Sequence, residues 1–185
     1  MAIKATIYKA TVQLSDLDRQ VYAEQSATIA RHPSETDERM MVRILSFALH
    51  ASDTLSFGKG LSAEDEPDLA EKDLTGAIET WIEIGQPDDK RIRRACGRAR
   101  QVYVYCYGGH GSKLWWEQIA DKLERTRNLT VKAIEQTSSK SLALLAARNM
   151  QLHCTIQDEQ VWLADSTATV EIVMETIRIP AEARY

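Results

Sequence analysis

Apolar and polar positions alternate along residues 2–14, with Ile3, Ala5 and Ile7 set against Lys4, Thr6 and Tyr8. A period of two marks a strand, and Val21–Ala30 carries a second one. The polar run Ser15-Asp16-Leu17-Asp18-Arg19 between them predicts a hairpin turn. The period then changes. After His32-Pro33, Ser34 is placed to cap a helix running to about Ala51, with Asp37 at its third position. Its stripe is Met41, Val42, Leu45, Ala48 and Leu49. Residues 52–75 have no clean period and predict a long loop with at most one irregular strand, the kind of segment that is usually functional or mobile.

Downstream the two periods alternate. Strands are predicted at 77–84, 101–107 and 129–135. Helices are predicted from Pro87-Asp88-Asp89 to about Arg100, from Ser112 to about Arg125, and over 140–149. Three strands close the chain, at 150–157, 160–165 and 168–178. Strands alternating with helices in the middle and clustering at both ends predict one mixed β-sheet flanked by helices, of class α/β or α+β. The length of 185 residues suits a single domain over 1–185.

Composition narrows this little. Apolar residues at 44% and charged ones at 27% exclude wholesale disorder. A formal charge of −4 means that nucleic-acid contact requires a local basic patch. Three cysteines, Cys96, Cys106 and Cys154, without C-x-x-C spacing, argue against a disulfide framework or a cysteine zinc site. With no apolar stretch behind Lys4 and no membrane-length apolar window, the expectation is a soluble, cytoplasmic protein that does not enter membranes. Nothing in the sequence sets an oligomeric state.

Candidate chemistry lies in three places. At 100° per residue Glu38 points into the apolar stripe of the first helix, and Arg39, Arg43 and His50 point to the opposite, solvated side. An inward carboxylate needs a cation partner or an ion to coordinate, so Glu38 is either one half of a structural ion pair or a site residue. In Ile78–Ile84, Glu79 and Glu83 share a strand face with Trp81 between them, about 13 Å apart, too far to hold one ion together. They are either an outward polar face or, if helices cover both sides of the sheet, one site acid and its neighbour. Residues 88–100 hold two acids and six bases, Lys90, Arg91, Arg93, Arg94, Arg98 and Arg100. A helix facing water explains most of these charges. Arg91 and Arg98 border its apolar stripe, and Arg93 and Arg100 point outward.

Three phrases carry a family resemblance: Arg31-His32-Pro33-Ser34-Glu35-Thr36-Asp37-Glu38-Arg39-Met40-Met41, the stretch from Glu66-Pro67-Asp68 to Trp81-Ile82-Glu83-Ile84-Gly85-Gln86-Pro87-Asp88, and Thr155-Ile156-Gln157-Asp158 with Val161-Trp162-Leu163. Together they resemble the YaeQ family of bacterial proteins, across essentially the whole chain. The resemblance implies a restriction-endonuclease-like core, because YaeQ proteins are regarded as variants of the PD-(D/E)XK nuclease-like superfamily. It implies Mg²⁺ or Mn²⁺ held by carboxylates, with the ion activating water for phosphodiester attack. Glu38 then matches the helix acid, Asp68 of Pro67-Asp68 the namesake aspartate, and Glu83 or Glu79 the strand acid. The motif lysine is missing: Gly85 follows Glu83 by two, and Trp81 follows Glu79 by two. Arg91 is the best-placed substitute, ahead of Lys90 and Arg94, and arginine is a phosphate clamp rather than an acid–base group.

The expectation is therefore a metal-dependent, nuclease-like protein that acts on or binds nucleic acid. Glu38, Asp68 and Glu83 hold the metal, with Glu79 in reserve, and Lys90, Arg91, Arg94 and Arg98 face phosphates. The alternative is a non-catalytic binding or regulatory module on a scaffold that has lost its lysine. Other features are weaker. Gly108-Gly109-His110-Gly111 lacks the rest of a P-loop and suits a flexible connection better than a phosphate cradle. His32, His50, His110 and His153 show no ligand spacing. Trp115 and Trp116 are core or a stacking platform, and Tyr103, Tyr105 and Tyr107 suit a ladder packed under a helix.

Overall fold

The computed structural model describes residues 4–59 and 65–181; residues 2–3 of the expected first strand and 60–64 of the expected loop lie outside them. Strands β1 (Thr6–Asp16) and β2 (Val21–Arg31) pair in full antiparallel register around the expected turn. Helix α1 spans Asp37–Leu49. The segment expected as a loop contains two short strands, β3 (Leu55–Phe57) and β4 (Leu69–Lys72). Then come β5 (Ile78–Ile84), α2 (Asp89–Arg98), β6 (Ala99–Cys106), α3 (His110–Ile119), a short 3₁₀ turn, β7 (Leu129–Ile134), α4 (Gln136–Ala143), β8 (Asn149–Gln157), β9 (Gln160–Ala164), β10 (Thr169–Ile172) and β11 (Met174–Arg178).

The expected single sheet is two mixed sheets. One has the order β10-β9-β8-β1-β2, the other β11-β7-β6-β5-β4-β3. In the first, β1 runs parallel to β8; in the second, β5, β6 and β7 are parallel. The change of sheet happens inside the segment read as one strand over 168–178. It breaks at Val173, and the two halves join different sheets. Helix α4 fixes the break. The Ser138 hydroxyl donates to Glu171 O (2.9 Å) and accepts from Val173 N (3.0 Å), while Glu135 N donates to Val173 O.

α1 lies between the sheets. One core cluster joins Ala10, Val12 and Ile29 of the first sheet to Leu69, Ile82 and Tyr105 of the second, through Met41, Val42, Ile44 and Leu45 of the helix. Each such side chain stabilises the fold by roughly 1.5–3 kcal/mol through burial. The other face of the second sheet carries Trp81, Val102, Val104 and Val131 against Ile92 and Ala95 of α2 and Trp115 and Ile119 of α3. The architecture is thus four layers, sheet–helix–sheet–helix.

Burial all round α1 corrects the expected solvated side. Arg43 is fully buried, Arg39 is mostly buried and His50 is half-buried, because the second sheet covers what a one-sheet reading leaves open. The cap also moves. Thr36 Oγ1 accepts from Arg39 N (3.1 Å), while Ser34 is occupied by His32 Nδ1 (2.5 Å). Helix α4 begins four residues earlier than expected, since Ser138 and Ser139 are buried hydrogen-bonding groups rather than linker, and Leu144 beyond its end faces solvent. Helix α3 starts at His110 and ends at Ile119, short of the expected Arg125. Ser112 lies inside its first turn and donates to Gly109 O. Gly109 has φ +61°, and a Cβ there would meet the Gln136 amide at 2.9 Å, so this turn requires glycine.

Candidate functional site

Strand β4 follows Asp68 and runs antiparallel to β5, with Leu69 opposite Ile82. That register brings Asp68 and Glu83 together at one end of the hairpin. Both are buried, each about 2% exposed. Asp68 Oδ2 accepts from Ile84 N (2.8 Å), and both its oxygens accept from Arg39 Nη2 (2.7 and 2.9 Å). Arg39 reaches from α1, and its other terminal nitrogen, Nη1, donates to Glu35 Oε1 (2.7 Å). Glu35 is shared in turn by Arg43 Nη1, at 3.2 and 3.0 Å to its two oxygens. A buried ladder of alternating charge, Arg43–Glu35–Arg39–Asp68, therefore runs along one side of α1. Burial works against the Arg39 charge, but Asp68 and Glu35 more than offset it and hold its pKa above the ordinary arginine value.

Glu83 is held from the other side of the sheet. Trp81 Nε1 donates to Oε1 (2.7 Å), and Arg91 of α2 pairs with Oε2 through Nε at 2.9 Å. Arg91 also donates from Nη2 to Glu66 O (2.8 Å), which ties α2 to the segment leading into β4. Burial, and next the neighbouring charge of Asp68, push the Glu83 carboxyl up to about 7, although Arg91 and Trp81 pull the other way.

The remaining expected residues are placed apart. Glu38 is half-buried and accepts from Ser139 Oγ of α4 (2.6 Å), so its inward position ends in a hydroxyl, not in the Asp68–Glu83 pair. Glu79 sits at the sheet margin, 3.5 Å from Arg100 Nη1. Lys90, Arg94 and Arg98 face solvent, and Arg94 meets Asp65 there. The basic helix is substantially neutralised by its neighbours, with Arg93 on Asp89 as well (2.6 Å). Trp115 is core, with Nε1 donating to Pro87 O (2.9 Å). Tyr103, Tyr105 and Tyr107 do line up against the cluster that contains α1.

Among the described residues no three His, Cys, Asp or Glu side chains converge as a cation site. The two acids that do meet each carry a guanidinium partner. In this arrangement the residues do not fit a carboxylate-bound Mg²⁺ or Mn²⁺, and no chemical step is derived through one. What the arrangement does chemically is hold a protonatable carboxyl, Glu83, in the company of an ionised neighbour and two arginines.

Glu35, Arg39 and Arg43 were not among the expected site residues. Their signal was available: they follow each other at intervals of four, the spacing at which opposite charges meet along a helix.

The comparisons with known proteins agree with one another. The family model described as "YaeQ protein" matches residues 1–174. The chain is 41% identical over 181 residues to the "Uncharacterized protein YaeQ" of Salmonella typhi and 40% identical to its counterpart in Escherichia coli K12, covering 98% of this chain and all of each relative. Among solved structures, the YaeQ protein from Xanthomonas axonopodis pv. citri superposes with a TM-score of 0.91 at 44% identity, over 95% of this chain and 99% of that one. The YaeQ protein from Pseudomonas syringae superposes with 0.90 at 34% identity, over 96% and 98%. With family model, relatives and solved structures all spanning nearly its whole length, the chain belongs to the YaeQ family.

Proposed function

We propose that this protein is a non-catalytic binding module on a PD-(D/E)XK nuclease-like scaffold, and that its partner is nucleic-acid phosphate. The observation that carries the reading is the double occupation of the central acids, with Asp68 gripped by Arg39 and Glu83 by Arg91 and Trp81. Removing either cation would leave a buried carboxylate unpaired, which costs several kcal/mol. The scaffold reading is supported by the β4–β5 hairpin, where Pro67-Asp68 stands beside Glu83 as the family resemblance implies, and by the absence of a lysine two positions after Glu83. Phosphate contact falls to Lys90, Arg94 and Arg98 on the outer side of α2. Exposed pairs such as Arg94–Asp65 contribute only about 0–1 kcal/mol, so a phosphate exchanges for the aspartate at little cost. Binding of this kind is weak and strongly salt-dependent.

The second reading, a Mg²⁺- or Mn²⁺-dependent phosphodiesterase, draws on the same carboxylate pair. Glu83, raised to about 7 beside Asp68, has the perturbed titration common at catalytic centres. One experiment separates the two. Labelled single- and double-stranded DNA and RNA are incubated with the protein at low salt, with EDTA or with Mg²⁺ or Mn²⁺. The binding module shifts an oligonucleotide in EDTA, loses the shift in the Lys90→Ala/Arg94→Ala/Arg98→Ala variant, and degrades nothing. Metal-dependent degradation that vanishes in Glu83→Ala overturns it in favour of the hydrolase, and the absence of any shift or cleavage overturns both.

A further inference from the structure

At the far end of α1, about 16 Å along the helix from Arg39, the two sheets part around a cavity of about 600 Å³. That is within the range of roughly 300–1,000 Å³ usual for small-molecule sites. Its apolar wall is Leu49, Ile156, Val161, Ile172 and Met174. Its polar side comes from both sheets and the helix end: Asp16 and Arg19 from the β1–β2 corner, His50 after α1, Tyr103 and Tyr105 of β6, and Lys132 of β7.

The charges here are unevenly placed. Asp16 is committed to Arg19, accepting its backbone N at 2.9 Å and its Nε at 2.5 Å. Asp18 is committed to the backbone N–H groups of Asp158 and Glu159, at 2.7 and 2.8 Å. Glu159 lies exposed at the mouth. Lys132 is half-buried on the inner sheet face and has no carboxylate partner among the described residues. The charge close enough to act on it is a like one, Arg19, and burial together with that repulsion lowers its pKa. His50 adds no positive charge. Burial, then Lys132 and Arg19, depress its imidazole to about 3, and its Nε2 meets the Tyr105 hydroxyl at 2.7 Å. Two cations and three carboxylates therefore line the cavity, but Asp18 and Glu159 lie exposed at its rim and the buried Asp16 is taken by Arg19, so the inner wall offers Lys132 beside an apolar surface and the Tyr103 ring, which packs at 4.4 Å centroid distance on His50.

We propose that this cavity binds a small organic anion, with one carboxylate or phosphate group on Lys132 and Arg19 and an apolar body against Met174, Ile172 and Tyr103. An anion placed there relieves the Arg19–Lys132 repulsion and gives Lys132 the partner it lacks. The site is independent of the Asp68–Glu83 centre and stands whichever reading of that centre holds.

The test uses the full chain and three flat probes of similar size: benzoate, phenyl phosphate and neutral benzamide. Binding is read from the ring resonances of His50 and from thermal shift. Benzoate or phenyl phosphate should move the His50 ring signals and raise Tm, with whichever binds more tightly naming the headgroup, and benzamide should do neither. Lys132→Met should weaken binding about tenfold or more, and Lys132→Arg should retain it. Should Lys132→Met fail to fold, Arg19→Gln, at the more exposed position, serves in its place with the same expected loss. Silence of His50 toward both anions, equal binding of benzamide, or unchanged affinity in a folded charge-removing variant each overturns the proposal.

Discussion

Arg39 Nη2 lies within hydrogen-bond distance of both oxygens of Asp68, at 2.7 and 2.9 Å, while Nη1 holds Glu35. One guanidinium thus joins the N-terminus of α1 to the start of β4 by spending different nitrogens on two buried acids. A lysine has a single nitrogen and cannot span both. Arg39→Lys should therefore behave as a broken pair and cost about 3–5 kcal/mol in urea unfolding, nearly as much as Arg39→Met. Recovery of wild-type stability by the lysine variant would sink the bridging role.

Arg43 predicts the opposite behaviour on the same ladder. It is fully buried, its Nη1 is used on Glu35, and its Nε and Nη2 have no hydrogen-bond partner among the described residues. Two orphaned donors in the core each cost about 1–3 kcal/mol. Glu35 keeps Arg39 when Arg43 is lost, and Phe57, 5.4 Å below the Arg43 guanidinium, is an apolar floor for a replacement. Arg43→Met should accordingly be within about 1 kcal/mol of wild type or more stable, whereas Glu35→Gln, which strips both arginines of their acid, should lose about 3–5 kcal/mol. Equal and large losses for the two variants would refute this division.

Most of the element order was legible in the sequence, because periods of two and 3.6 are local properties. The two-sheet architecture was not. Whether α1 has a wet side depends on β4–β6 lying across it, and whether residues 168–178 form one strand depends on Ser138, some 35 positions away, holding Val173 open. A helical wheel alone puts Arg39 and Arg43 in solvent, although with Glu35 they form a ladder visible at intervals of four. Glu38 is half-buried, and its partner, Ser139, is 101 residues away and invisible to any helical wheel. The Asp68–Glu83 meeting depended on a hairpin whose first strand, β4, has four residues and no readable alternation.

Glu83 supplies a pH prediction. Its carboxyl titrates near 4.5 when unfolded and near 7 when folded. Between those values the unfolded chain releases this proton while the folded one keeps it, so the contribution is full below about 4.5 and is lost as pH rises to 7. On the order of 3–4 kcal/mol is at stake. The wild type should lose stability relative to Glu83→Gln across this interval, and the two curves should run parallel above it. Parallel curves throughout, in urea unfolding from pH 4.5 to 8, would show that Glu83 titrates as an ordinary carboxylate.

His50 has the reverse sign. Desolvated and facing Lys132 and Arg19, it holds its imidazole neutral down to about 3, against an unfolded value of 6.5. The unfolded chain takes up this proton first, so the stability it contributes is present above 6.5 and is lost as pH falls toward 3. The buried Tyr105 hydroxyl, whose own pKa burial raises, stays protonated and shares a hydrogen bond with Nε2 at 2.7 Å. Nitrogen-detected NMR should show a neutral ring from pH 8 to about 4, with no midpoint near 6.5. An anion on Lys132 should then raise the His50 pKa, because it cancels one of the two charges that depress it. A ring that titrates near 6.5 in the free protein would mean that it is solvated and that neither cation acts on it.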